Sequence, residues 1–351
     1  MTAKIYTVLF LFLSIWYFSQ TIKGTVVSSG DQPLQGVKIY IDGSQVSSVT
    51  DANGNFNISI QSIKQGNVIF QKEGYQDFAY SLQQAFNKTL RVVLDKERLI
   101  EEVKLVGYSS KDYNKYINVF LDNFLGINRE GVSIKNPKEM KFAYDKKENI
   151  LRARAGKPLL IINKNLGYTV EYKLMSFSVD YRNGISQYTG TSFYTPFKAS
   201  DSKSLTYKMN RLNAYYGSVQ HFFKAVYSNK VNQEGFTVDR VKEMENKKAL
   251  ALTERDLPAS AYRSEDNGKV YFEFPDIFMV SYRKYLFDIS KRQVVKTNTY
   301  TTISSYVITN GVRYNITSDG NYSDPDQMLF QKSWAVDKVA RMLPLDYEPE
   351  Q

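Results

Sequence analysis

The chain of 351 residues has no cysteine and a single histidine, His221. Without thiols there can be no disulfide framework, no thiolate metal site and no cysteine nucleophile. One histidine cannot build a multi-histidine metal centre, and zinc peptidases characteristically combine two histidines with a carboxylate. Proline is scarce, at 9 residues. The apolar run Ile5 to Phe18 is shorter than the 18 to 20 residues that cross a bilayer as a helix. What the chain does have is charge and rings. Lys and Arg number 46 against 36 Asp and Glu, a net +10, and 27 Tyr, 21 Phe and 2 Trp make up 14% of the residues. Such a composition excludes a disordered or low-complexity chain, and its length suits two or three domains.

Lys4 stands before the apolar run Ile5 to Phe18, and the chain turns polar at Ser19, Gln20 and Thr21. A basic start, an apolar stretch of this length and a small residue at the cut read as a secretory signal peptide over residues 1–19, with cleavage before Gln20. Tyr17 is larger than the usual residue near such a cut, and an uncleaved N-terminal anchor is the alternative. A lipid anchor would need a cysteine. The expected location is therefore outside the cytoplasm, in the periplasm or at the outer membrane or cell surface. Export argues against nucleic acid as a partner, so the positive charge suits anionic lipid headgroups or glycans and peripheral membrane association.

From residue 20 to 95 the chain is written in short β-type runs separated by turn residues: Thr21–Val27, Gly36–Ile41, Val46–Thr50, Asn55–Ile60, Asn67–Gln71, Phe78–Leu82 and Lys88–Leu94. Seven strands at this spacing predict a β-sandwich. Asn53-Gly54 supplies the residues that tolerate positive φ in a hairpin, and Phe56, Ile58 and Ile60 alternate as a half-buried strand does. Four segments in order, Gly24-Thr-Val-Val, Gln32-Pro-Leu-Gln-Gly-Val-Lys-Ile, Thr50-Asp-Ala-Asn-Gly-Asn-Phe-Asn-Ile and Lys72-Glu-Gly-Tyr75, resemble the carboxypeptidase regulatory-like domain. The resemblance implies a transthyretin-like sandwich at the start of an exported, Bacteroidetes-type protein. It implies no catalysis, because the module accompanies metallocarboxypeptidases without supplying their zinc ligands. Asp51-Ala-Asn53-Gly-Asn55 looks like the opening of a calcium loop, but position 62 is Ser where a calcium hand needs Glu. Leu99 to Tyr108 resembles the stretch that follows this module in TonB-dependent outer-membrane receptors, and the remaining residues are too few for a plug and a 22-stranded barrel.

A linker over 96–110 leads to an α+β domain over 111–351, a mixed antiparallel β-rich fold with helices. Expected helices are Lys111–Leu125, with Tyr116, Val119, Phe120, Asn123 and Phe124 on one stripe, a segment near Leu205–Tyr227, and an amphipathic helix near Ser333–Met342. Strands are expected at Lys141–Tyr144, Ile150–Ala155, Leu159–Ile162, Tyr168–Tyr181 and Ile185–Tyr194, with Asn183-Gly184 turning a hairpin, and further on at Phe236–Lys242, Lys269–Phe274, Phe278–Tyr285, Gln293–Tyr300, Ser305–Thr309 and Arg313–Ile316. Phe120-Leu-Asp-Asn-Phe-Leu-Gly126 and Arg211-Leu-Asn-Ala-Tyr-Tyr-Gly-Ser218 resemble a region often joined to this module in exported proteins, to which no activity attaches.

The chemistry-bearing candidates are few. Ser218 and His221 fall three residues apart in a segment expected to be helical, so they share a face, but the nucleophile elbow G-x-S-x-G is absent. Asp319, Asn321, Asp324 and Asp326 offer oxygen ligands for calcium, and a polar turn explains them equally. Glu171, Asp180, Glu273 and Asp276 are carboxylates on or beside strands that a glycosidase could pair. Residues 138–173 hold nine Lys or Arg against four Asp or Glu. Within them Arg152, Arg154 and Tyr172 suggest a groove for an anionic glycan, a lipid headgroup or a carboxylate. The reading that follows is a non-enzymatic, cofactor-free envelope protein that binds a partner protein or envelope polymer through its second domain. The alternatives are an exported hydrolase using Ser218 and His221 or a carboxylate pair, and an outer-membrane-associated transport accessory.

Overall fold

The computed structural model describes residues 20–97, 108–244, 250–283, 285–288, 293–296 and 302–349. The expected leader and the receptor-like stretch 99–107 lie outside them. The first seven strands are β1 (Gln20–Ser28), β2 (Lys38–Ile41), β3 (Ser47–Val49), β4 (Asn55–Ile60), β5 (Asn67–Gln71), β6 (Phe78–Ser81) and β7 (Thr89–Leu94), with the short helix α1 (Leu82–Ala85) before the last. They form two sheets, β4-β1-β7 and β3-β2-β5-β6, as expected of the sandwich. β1 is antiparallel to β4 and parallel to β7. The core between the sheets is chiefly aliphatic, with Ile22, Val26, Ile39, Ile41, Ile58 and Val68 fully or almost fully buried. Buried Thr50 ties the loops over this core: its hydroxyl donates to the Leu34 carbonyl and accepts from Val37 N–H. Asp51 shapes the Asn53-Gly54 turn by accepting the amides of Asn53 and Asn55, so its oxygens serve a hairpin.

The next region contains α2 (Tyr113–Phe124), β8 (Val132–Ile134), β9 (Met140–Asp145), β10 (Ile150–Ala155), β11 (Leu159–Asn163), β12 (Tyr168–Asp180) and β13 (Ile185–Pro196). β12 is the spine: β11 and β10 share one of its sides and β13 runs along the other, with a bulge at Met175. Tyr116, Phe120 and Phe124, spaced by four, present one buried stripe of α2 to this sheet. Phe120 lies 4.8 Å from Phe177 and Phe124 lies 4.9 Å from Tyr172. Each such ring, fully buried, contributes roughly 1.5–3 kcal/mol. The helix stops at Gly126, whose φ of +106° is one a side chain would resist.

The remaining elements are α3 (Asp201–Tyr215), α4 (Val219–Tyr227), β14 (Phe236–Glu243), β15 (Leu250–Glu254), β16 (Arg263–Asp266), β17 (Lys269–Phe272), β18 (Ile277–Arg283), β19 (Tyr285–Asp288), β20 (Gln293–Lys296), β21 (Thr302–Ile308), β22 (Tyr314–Ile316), β23 (Leu329–Lys332) and α5 (Ser333–Val336). Sheets of order β15-β14-β18-β21-β23 and β16-β17-β22 enclose a second, aromatic cluster around Phe222, Phe236, Phe272, Phe278 and Trp334. The described residues after 111 thus form two large hydrophobic clusters, one under α2 and one around α4, while Phe193 joins Tyr40 and Ile69 in a small third.

Two helix expectations are corrected. The segment 205–227 is two helices, broken where Gly217 adopts φ +82°; a Cβ there would lie 2.5 Å from the Tyr282 ring. The helix near 333–342 is one turn of α-helix followed by a 3-10 turn at Val339–Arg341. There the chain dives inward: Val339 and Ala340 join the first cluster, and Asn163 Nδ2 donates to the Ala340 carbonyl. β8, β15, β16 and β23 are strands that sequence reading left out, each only three to five residues long.

Candidate functional site

The only histidine sits at the α3–α4 break. Ser218 is the N-cap of α4, not a helix-interior residue, and its Oγ accepts the backbone N–H of His221 at 3.1 Å. The His221 ring is buried against Tyr215, Tyr216, Phe236 and Tyr282. Gly217 N–H donates to Nδ1 at 3.1 Å, so the ring proton resides on Nε2, which donates to Glu234 Oε2 at 3.2 Å. Burial holds the imidazole below its ordinary pKa, with Glu234 opposing, while the bond from His221 lowers Glu234. The Gly217 carbonyl accepts from Trp334 Nε1 at 2.8 Å, tying the same junction to α5. Both ring nitrogens and the serine hydroxyl are thus committed to architecture. A general base would instead need a ring nitrogen directed at the serine hydroxyl. Sequence reading missed Glu234, because only the turn between α4 and β14 brings it back to the ring, 13 residues on.

The basic groove is divided by the pleat of the sheet. On β10, Leu151 and Ala153 are buried while Arg152 and Arg154 face the other side. Tyr172 lies with the buried residues of β12, inside the first cluster, where burial raises its phenol well above the usual value. It therefore does not join the two arginines. Arg152 stands 3.9 Å from Asp145, and the Arg154 guanidinium covers the Tyr108 ring at 4.4 Å.

The acidic stretch also separates. Asp319 is buried: Oδ1 accepts from the Thr317 hydroxyl and the Asn321 amide, and Oδ2 accepts Lys64 N–H from the sandwich. Asp324 adopts left-handed backbone before a 3-10 turn that carries Asp326. Among the described residues no group of three or more metal-ligating side chains converges. The four strand carboxylates are each engaged by different partners. Glu171 pairs with Lys38, Asp180 caps the Asn183 turn, Glu273 faces Arg313, and Asp276 faces Arg240 and Lys242.

The most built polar arrangement is the junction between the sandwich and β12–β13. Strand alternation in β2 sends Ile39 and Ile41 into the sandwich core and Lys38 and Tyr40 outward. Tyr40 packs on Phe193 at 5.5 Å and its hydroxyl meets Thr191 at 3.2 Å; Lys38 bridges Glu171 at 2.8 Å, and Asp77 bridges Lys173 at 2.6 Å. The loop after β2 then runs beside β13 as a short parallel strand: Gly43 N–H donates to the Ser192 carbonyl and Tyr194 N–H to the Ser44 carbonyl. The Asp42 carboxylate accepts Ser192 N–H at 2.8 Å, and burial pushes its pKa up to about 6 against the bonds it receives. The C-terminal segment completes the knot, with Leu345 N–H on the Gly43 carbonyl and Asp346 accepting Gln45 N–H. In the sequence these residues carry no motif; only the outward half of an alternating strand hinted at them.

Residues 22–106 match the family model of the CarboxypepD_reg-like domain. The N-terminal sandwich is thus a domain of that kind, as its motifs implied. The chain is also similar to the TonB-dependent receptor SusC of Bacteroides thetaiotaomicron, at 32% identity over 107 residues. The match takes in 30% of this chain and 10% of the receptor, so the chain corresponds to about a tenth of that relative's length.

Proposed function

We propose that the chain is an exported cell-envelope protein that works by binding a partner protein or envelope polymer through the region after the sandwich, without catalysing a reaction. The observation that carries the reading is the N-terminal CarboxypepD_reg-like module, together with the partial similarity of the chain to an outer-membrane receptor. The way the module is used supports binding. It is fastened to β12–β13 by strand pairing, rings and two ion pairs, and so serves as a mount for the rest of the chain. The commitment of Ser218, His221 and Glu234 to the α3–α4 break favours this reading over the hydrolase.

The receptor similarity favours one narrower version, an accessory to transport at the outer membrane. Fractionation of cells expressing the full chain tests the reading. The expected outcome is recovery with the envelope, release by carbonate, and reproducible in-cell cross-links to an envelope component. A cytoplasmic pool without cross-links would sink it. His221→Ala tests the hydrolase: the expected outcome is loss of thermal stability. A variant that keeps its melting temperature while losing a measured esterase or peptidase activity would establish the enzyme instead.

A further inference from the structure

β13 is hydrogen-bonded along its whole length to β12 on one side. On the other side the parallel segment at Gly43–Ser44 reaches only Ser192 to Tyr194. Strand parity turns the N–H and C=O of Ser192 and Tyr194 toward that segment, and the same parity turns those of Ser186, Tyr188 and Gly190 outward. Among the described residues no strand covers this stretch. Natural sheets usually blunt a free edge with charge, proline or a covering loop. Here the free stretch, Ile185 to Thr191, contains no charged residue and no proline.

One cation stands beside it. The chain crosses Gly126 at Val336 to Lys338, and Lys338 Nζ comes within 3.4 Å of Ser186 Oγ and 5.8 Å of the Tyr188 ring centre. No carboxylate lies within ion-pair distance of Lys338 among the described residues. Burial alone, with no carboxylate contributing, holds its ammonium below the ordinary lysine value. A partly desolvated ammonium lacking its anion is completed by a carboxylate brought from outside.

We propose that the edge of β13 from Ile185 to Thr191 is a docking site for an extended acidic segment of a partner protein, which adds to the sheet as a further strand and sets a carboxylate against Lys338. Two features select this occupant. The edge continues a strand pairing that the sandwich already makes at Ser192–Tyr194, and the lysine supplies charge complementarity on one face of the incoming strand. Main-chain bonds give such a strand its hold, and the Lys338 contact gives its preference. The inference rests on the partner-binding reading above and names the class of partner.

The test uses the full chain and labelled octapeptides of alternating Thr and Val, with Glu placed at each position in turn and a parallel set carrying Lys. Expected is one Glu register that binds at least tenfold more tightly than its Lys counterpart, with slowed hydrogen exchange at Ser186, Tyr188 and Gly190. Lys338→Met should erase the Glu-over-Lys preference, and Ser186→Pro, which removes one outward donor, should weaken every peptide. Equal binding of the two sets, or protection away from β13, overturns the proposal. So does protection of the same amides without peptide that grows with protein concentration, which would assign the edge to a second copy of the chain. Should the peptides fail while in-cell cross-links to an envelope component persist, the edge is wrong and the partner-binding reading stands; loss of those cross-links removes the reading itself.

Discussion

The sandwich and the cluster around α4 are both β-sheet cores, yet they are filled by different side chains. The sandwich is packed with Ile, Val and Leu, and two buried phenylalanines, Phe56 and Phe70. The α4 cluster is packed with rings: Phe222 alone has Phe223, Phe236, Phe272 and Trp334 at centroid distances of 5.3 to 6.0 Å. Two sheets packed face to face leave a gap that branched aliphatic side chains fill. Around α4, a broken helix and several turns leave irregular gaps that larger, planar groups fill, with edge-to-face contacts worth about 0.5–1.5 kcal/mol beyond burial. The difference teaches where each part is vulnerable. An aliphatic core tolerates small trims, whereas a ring at the hub of an aromatic cluster takes several contacts with it.

The sharpest way to break the comparison is one truncation in each core. Phe222→Ala should lower the stability of the α4 region by about 3–5 kcal/mol, and Ile39→Val should lower that of the sandwich by about 0.5–1.5 kcal/mol. Denaturant unfolding followed by Trp334 fluorescence for the first, and by exchange of the Ile39 and Phe70 amides for the second, reads the two separately. Equal losses would mean that the two cores unfold as one body and that side-chain type does not set the sensitivity.

The same contrast explains what could be read in advance. The sandwich was legible because a strand with one buried face imposes period-two alternation, as in Phe56, Ile58 and Ile60, and because its turns need residues such as Asn53-Gly54. In α2 the four-residue spacing of Tyr116, Phe120 and Phe124 carried the same kind of signal. The helix 205–227 was misread because leucine, alanine and tyrosine continue across a break that Gly217 alone marks. Short strands such as β8 and β16 hold too few residues to show a period. Of the candidate sites, Ser218 and His221 meet through the His221 backbone amide rather than side chain to side chain on a helix face, and the amides that occupy Ser218 Oγ and His221 Nδ1 belong to a turn that no side-chain pattern encodes. Pairing across distant segments, as at Asp42 with Ser192 or Lys338 with Ser186, left no trace in local sequence.

A second, smaller effect separates the sandwich junction from the α4 region by the sign of its pH dependence. Asp42 titrates near 6 in the folded protein against 3.8 ordinarily, so folding favours its protonated form. Its contribution is present at low pH and is lost as pH rises through about 6, on the order of 2–3 kcal/mol. His221 is held below its usual 6.5, so folding favours its neutral form, and its contribution is fully present above 6.5 and lost as pH falls below that value through the lower folded-state pKa. Asp42→Asn should therefore abolish a gain on acidification, and His221→Phe should abolish a loss. Unfolding curves from pH 5 to 7.5 check both. Identical slopes in wild type and either variant would remove that group from the account.

The smallest expected effect concerns what holds the sandwich to its neighbour compared with what merely decorates it. Arg91 and Asp31 pair at 2.6 Å on the sandwich surface, with side chains 57% and 79% exposed. Lys173 and Asp77 pair at the same distance across the junction, but Asp77 is only 19% exposed and also accepts from Gln71. Water screens the first pair and must reorganise to screen the second, so double-mutant cycles should give a coupling near zero for Arg91–Asp31 and up to about 1 kcal/mol for Lys173–Asp77. Raising salt from 0.05 to 1 M, with a Debye length falling to about 3 Å, should erase what coupling the exposed pair has and leave most of the other. Equal couplings would mean that the junction is as wet as the outer surface. Its cohesion would then come from the hydrogen bonds at Asp42–Ser44 and the Tyr40–Phe193 contact rather than from its ion pairs.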